Sequence, residues 1–294
     1  MKAHANGIDQ RVVDLGLRSN LPVLADTWSV AGRTLRPLSD VSGRALVICF
    51  LGQSTNQNSV QAATHAGDNP HIFNVSMAHP SPTHLWQAKE PLLCADATSG
   101  HHGMLLAQGL LDGGFADNIV LVNVAVGGSY AADWCPGGGI VGGNQSGVRA
   151  GSVAYRIGLA ARLLAFAGLA DLPTVLDWQQ GEWDSDNVAT TQADHTAALA
   201  GTIVECKRVG LLRSGRAMFV HQCTRLASSS GNRNPIRAAQ AAVVDGDLVL
   251  AGVDIDTLGS GTRHDGSHFT VAGAGLQADL KLPLYEAYCA NVFA

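Results

Sequence analysis

A repeated pattern of short, unbroken apolar runs separated by helical periods restricts this chain to very few architectures. Residues 45–51 read ALVICFL, apolar at every position. A strand with one wet face alternates apolar and polar residues, so a continuous run of this length predicts a strand covered on both faces. Residues 118–126 (NIVLVNVAV) are rich in β-branched side chains, and 174–178, 217–221 and 248–253 are shorter runs of the same kind. Between them, Val153, Ile157, Ala160, Ala161, Leu164 and Gly168 share one face at helical spacing. Residues 187–209 read as a second helix with Asp186 as its cap, and 271–289 as a third capped by Thr270. The alternation predicts an α/β fold, a three-layer α/β/α sandwich with a mostly parallel central sheet. Ligands of such sheets sit beyond the carboxyl ends of the strands, which directs attention to the loops that follow each run.

The chain of 294 residues suits one large domain. Residues 1–40 contain Pro22, Pro37 and an alternating segment, 27–30, suited to an edge strand. They are read as an N-terminal arm packed on a main domain at 41–294. A net charge of -5 without a Lys/Arg stripe argues against nucleic acid or an anionic membrane as partner. No apolar stretch approaches the ~20 residues of a membrane span. Residues 1–6 show no apolar signal core. The expectation is a soluble protein, secreted or periplasmic only if a signal lies outside this sequence. Oligomeric state is left open. None of the six cysteines forms a C-x-x-C pair, which argues against a zinc ribbon or redox motif. Cys49 and Cys223 lie in apolar runs and read as core residues. A Cys94–Cys135 disulfide is open in an oxidising compartment.

Four loops carry side chains suited to chemistry. Gly52-Gln53-Ser54 follows the first run, where a Ser at a strand-to-turn corner can expose its hydroxyl. An ordinary turn is the alternative, and Asn56 excludes the G-x-S-x-G elbow. Gly127-Gly128-Ser129 follows the second run, and a Gly pair there can present backbone N–H groups to an oxyanion. Taken alone, a plain turn is the simpler reading. Trp178-Gln179-Gln180-Gly181-Glu182-Trp183-Asp184 closes the third run and crowds two carboxylates, an amide and two indoles beside a strand end. A capped helix start explains its carboxylates but not its Trp or amide. Asp265-Gly266-Ser267-His268 precedes the last helix and places a carboxylate three residues before an imidazole. His264 and His268 have the spacing of a zinc pair, but Gly266 between them predicts a loop, so no metal is expected. His101 and His102 are read as part of a solvated turn.

At these four blocks the sequence resembles the SGNH hydrolases. Within them it is similar to the carbohydrate esterases typified by sialate O-acetylesterase and acetylxylan esterase, carbohydrate esterase family six. The matching residues are Gly52-Gln53-Ser54, Gly127-Gly128-Ser129 with Trp134, Gln180-Gly181-Glu182-Trp183-Asp184 and Asp265-Gly266-Ser267-His268. Residues 236–240 (IRAAQ) also look like the group's pattern. Thr55-Asn56 replaces the group's Asn-Met, and a Gly-rich insert at 137–143 departs from it. The resemblance implies the flavodoxin-like SGNH-hydrolase fold and a serine esterase that removes a small acyl group, acetyl first, from a carbohydrate. It implies Ser54 as nucleophile and His268 as general base, with Asp265 or Glu182 as its orienting acid. Ser54, Gly127 or Gly128 and the Gln180 amide would form the oxyanion hole, and Trp134, Trp178 and Trp183 would flank the substrate unless they pack in the core. No cofactor is implied. A lipid or thioester hydrolase and a non-catalytic carbohydrate-binding protein are the alternatives.

Overall fold

The computed structural model describes residues 30, 32–65, 67–76, 81–93, 99–136, 153–225 and 233–294. Eight strands form one sheet: β1 (Leu35–Pro37), β2 (Ala45–Gly52), β3 (Ile72–Asn74), β4 (His84–Gln87), β5 (Asn118–Asn123), β6 (Thr174–Gln179), β7 (Arg216–Gln222) and β8 (Val249–Asp254). Their order is β1-β4-β3-β5-β2-β6-β7-β8. The six strands from β3 to β8 across the sheet run parallel, and β4 is antiparallel to both β1 and β3.

The longest apolar run becomes the central strand for the reason its composition dictates. Every residue of β2 is buried. Its side chains alternate between two cores: Val47, Cys49 and Leu51 face one, Leu46, Ile48 and Phe50 the other. Burial of each large side chain contributes roughly 1.5–3 kcal/mol. The first core is closed by helices α3 (Tyr155–Phe166) and α5 (Gln192–Arg208). The second is closed by α1 (His102–Asp112) and α7 (Val271–Val292). This is the expected three-layer sandwich. Shorter helices α2 (Ala131–Trp134) and α4 (Glu182–Asp186) follow the ends of β5 and β6, and α6 (Arg233–Ala242) precedes β8. No helix among the described residues is long and apolar enough to cross a membrane.

Several expectations need correction. The helix read at 187–209 begins only at Gln192. Thr191 and Asp194 exchange hydrogen bonds in a capping box, so the chain turns between α4 and α5 and Asp186 ends α4 instead of capping α5. Residues 124–126 leave the strand but stay beside β2, with Val124 and Val126 N–H donating to Phe50 and Gly52 carbonyls. His101 and His102 are fully buried, not solvated. His101 caps α1 by accepting from Gly103 N–H at 2.8 Å, and its other ring nitrogen donates to the Asn56 carbonyl at 2.9 Å. The two imidazoles stack at 4.6 Å against Phe50. Burial pushes His101 down to about 4, so it is neutral at physiological pH.

Segment 27–29 and the Gly-rich insert at 137–143 lie outside the described residues. Within the segment read as an arm, β1 pairs antiparallel with β4 at the sheet edge. Cys49 and Cys223 are buried free thiols and Cys135 is free, whereas Cys94, its suggested disulfide partner, lies outside the described residues.

Candidate active site

The chain moves to one side of β2 through β3, β4 and β5, then crosses to the other side with β6. The reversal falls at the carboxyl ends of β2, β5 and β6, the place where open α/β sheets hold ligands. Ser54, Gly127 and Glu182 all stand there, directly after these strands.

Ser54 is set by a sharp turn. Gly52 has φ of +104°, and a Cβ there would lie 2.0 Å from the Gln179 carbonyl oxygen of β6. Only glycine lets β2 turn this close to its neighbour. Gln53 N–H donates to the same carbonyl at 3.0 Å, and residues 54–56 then form a single 3₁₀ turn. Gly52→Ala is expected to destabilise the fold by at least about 1–3 kcal/mol, the cost of such a backbone conformation alone. An unchanged urea midpoint would contradict this.

The residues that depart from the family's Asn-Met pin the turn from below. Asn56 Nδ2 donates to the carbonyls of Leu51 and Asp177 at 2.9 and 2.7 Å and lies 2.9 Å from Asp177 Oδ1. Asp177 is itself bridged by Lys281 at 2.9 and 3.0 Å, and both are fully buried. Burial pushes Asp177 up, but the attraction of Lys281 and His221 outweighs it and keeps the carboxylate ionised. Sequence reasoning missed Asn56, Asp177 and Lys281. The available signal was a Lys in the final helix at helical spacing with Ala274, Ala278 and Tyr285, which marks its inward face.

His268 reaches Ser54 from a loop closed on itself. Arg263 and Phe269 form a β-bridge, His264 N–H donates to the His268 carbonyl at 2.9 Å, and Gly266 turns with φ of +83°. His268 Nε2 lies 2.9 Å from Ser54 Oγ, and Nδ1 lies 2.6 Å from Asp265 Oδ2. A carboxylate can only accept, so Nδ1 carries the proton and Nε2 offers its lone pair to the Ser54 hydroxyl. Asp265 Oδ1 also accepts from the N–H groups of Ser267 and His268 at 2.9 and 2.7 Å. Partial burial pushes the Asp265 carboxyl up, but these hydrogen bonds, the imidazole's first, hold it well below the usual carboxylate range. Thr270, next along, caps α7 through Gly273 N–H and anchors the loop.

Glu182 does not share this arrangement. It is fully buried and accepts from Thr55 Oγ1 at 2.6 Å. Of the two acids the sequence left open, Asp265 is the one bonded to the imidazole, and Glu182 clasps the residue after Ser54. Burial pushes Glu182 from its usual 4.5 up to about 7, against the opposing hydrogen bonds of Cys223 and Thr55. The folded state therefore holds this proton more tightly than the unfolded chain. The sign follows for this group: its contribution to stability, about 3 kcal/mol, is full below pH ~4.5 and is lost as pH rises to about 7. Glu182→Gln is expected to flatten that decline in urea titrations at pH 5 and 8, whereas an unaltered slope would contradict the assignment.

Gly127 and Gly128 adjoin Ser54. A Cβ on Gly127 would lie 3.6 Å from Ser54 Cβ and 2.8 Å from Gln57 Oε1. Among the described residues, the N–H groups of Ser54, Gly127 and Gly128 have no acceptor, whereas those of Gln53, Gln57, Val126 and Ser129 do. Two expected contributors are placed elsewhere. Both hydrogens of the Gln180 amide are spent, on the Ser129 carbonyl at 2.7 Å and Asp184 Oδ2 at 2.9 Å, so it braces the Gly127–Ser129 loop and has none left for an oxyanion. Trp134 is fully buried, donates to Ser129 Oγ at 3.0 Å and packs edge-on against buried Trp178. Both indoles belong to the core. Trp183 is half-buried beside Tyr130.

No protein-family model and no curated protein sequence matches the chain. Solved structures do. A protein from Arabidopsis thaliana superposes with TM-score 0.58 at 19% identity, over 85% of this chain and 100% of that one. NanS superposes with TM-score 0.57 at 15% identity, over 84% and 98%. A carbohydrate acetylesterase from Xanthomonas citri gives TM-score 0.57 at 13% identity, over 83% of this chain and 56% of that one. At these identities the likeness concerns the fold. The chain shares its α/β/α architecture with these three proteins.

Proposed function

We propose that this chain is a carboxylic ester hydrolase that removes a small acyl group, acetyl first, from a carbohydrate through an acyl-enzyme on Ser54. The observation that carries the reading is the continuous path Ser54 Oγ–His268 Nε2, 2.9 Å, and His268 Nδ1–Asp265, 2.6 Å. Each group has the partner its role needs.

His268 takes the Ser54 proton as Oγ attacks the ester carbonyl carbon. Asp265 stabilises the resulting imidazolium. The oxyanion is met by the N–H groups of Ser54 and Gly127, which have no acceptor among the described residues, and each such donor is worth about 10²- to 10³-fold in turnover. Collapse of the intermediate breaks the bond to the sugar oxygen, which receives the proton from His268. Water, deprotonated by the same imidazole, then attacks the acyl carbon and releases the carboxylic acid and free Ser54. The half-buried Trp183, whose backbone N–H lies 3.5 Å from Gln53 Oε1 in the turn before Ser54, is the indole we assign to stacking on a sugar ring. The solved carbohydrate acetylesterase of the same fold supports the choice of leaving group.

A series of p-nitrophenyl esters from acetyl to octanoyl, alongside acetylated monosaccharides, tests the substrate class. The expected result is kcat/KM highest for acetyl and acetate release from the sugars. A maximum at octanoyl would instead favour a lipid hydrolase on the same scaffold.

A further inference from the structure

The base of the proposed reaction stands in a second constellation. Ligand atoms of His264, Asp265 and His268 all lie within 4.8 Å of one another, on a largely exposed loop. The hydrolytic reading uses Asp265 and His268 but leaves His264 without a task. We propose that these three side chains form a binding site for a divalent transition metal of the zinc type, and that its occupancy switches ester hydrolysis off.

The ligand chemistry and the loop both favour such a site. Two imidazoles and one carboxylate suit zinc, copper or nickel, and discriminate against magnesium and calcium, which prefer all-oxygen shells. The loop is already folded into a hairpin by the His264 N–H to His268 carbonyl bond at 2.9 Å and by the Arg263–Phe269 bridge. It therefore presents the two histidines side by side, with ring centroids 6.1 Å apart. Zinc–ligand bonds of about 2.0–2.2 Å place tetrahedral ligands about 3.4 Å apart. His264 and Asp265 are exposed and His268 is half-buried, so rotation about side-chain bonds can supply that adjustment. Three protein ligands would leave a fourth position for water.

The consequence for activity rests on the hydrolytic reading and follows from proton placement. Coordination at His268 Nδ1 leaves the ring's proton on Nε2, which then cannot accept from Ser54. Coordination at Nε2 occupies the lone pair directly. Either way the hydroxyl loses its base, and Asp265 is drawn from the imidazole to the metal. His264 itself touches no reacting atom.

The test combines zinc binding, followed by calorimetry on the full chain, with initial rates on an aryl acetate. The expected result is binding of one zinc ion with parallel loss of activity, full recovery on adding EDTA, and no effect of magnesium. His264→Ala should keep the metal-free rate and need at least about tenfold more zinc for the same inhibition, the lower end of what even an outer partner of a metal contributes. Equal zinc sensitivity in wild type and His264→Ala, or activation by zinc, would overturn the proposal. A protein that binds zinc through His264 but hydrolyses no ester would overturn the inhibitory role together with the hydrolytic reading, and would leave the binding site standing.

Discussion

Replacing Ser54 with alanine is expected to lower kcat on p-nitrophenyl acetate by about 10⁴- to 10⁶-fold, with the folded state intact. The size follows from what Oγ does: without it no acyl-enzyme forms, and only binding and the two N–H donors remain. The fold should tolerate the change, because the turn is held by other groups. Asn56 and Asp177 fasten it from below, Gln53 N–H pairs with β6, and Thr55 is clasped by Glu182. The Ser54 hydroxyl has His268 as its partner, and that bond bridges two half-buried groups. Circular dichroism and the urea midpoint should therefore match the wild type. Activity retained within tenfold would remove the nucleophile.

The second large effect separates the two acids. Asp265→Asn should cost about 10²- to 10⁴-fold in kcat, because an amide can donate to Nδ1 and so favours the tautomer whose Nε2 carries the proton. Glu182→Gln should cost less than about tenfold under the same assay, since Gln Oε1 can still accept from Thr55. Kinetics on both variants, with KM measured separately, decide the matter. A large loss for Glu182→Gln and a small one for Asp265→Asn would reverse the roles assigned from geometry.

The two parts of the structure differ in how plainly they are written in the residues. The inner strands β2, β5, β6 and β7 are legible because both faces are covered, so apolar residues appear on both faces of each, without interruption in β2. Strands β1, β3 and β4 have only three or four residues each and lie at or near the sheet edge, where no long apolar run is needed. Helix α1 was hidden by His101 and His102. Imidazoles suggest solvent, yet these two are buried as neutral rings with Asn56 and Lys281 as partners.

In the site, block spacing located the loops, because strand ends fix where loops emerge. It could not fix side-chain direction. Gln180 and Trp134 occupy motif positions yet turn inward, toward Ser129 and the core, and this is visible only once Asp184 and Trp178 are placed beside them. The choice between Asp265 and Glu182 likewise rests on which carboxylate faces Nδ1, a matter of loop geometry.

The central claim is that His268, held by Asp265, makes Ser54 an activated nucleophile. The most direct measurement is labelling with a fluorophosphonate followed by peptide mass mapping, in wild type and His268→Ala. A single adduct on Ser54 in the wild type, formed far more slowly in His268→Ala, is the predicted result. An adduct on another residue, or equal labelling rates in the two proteins, would contradict it.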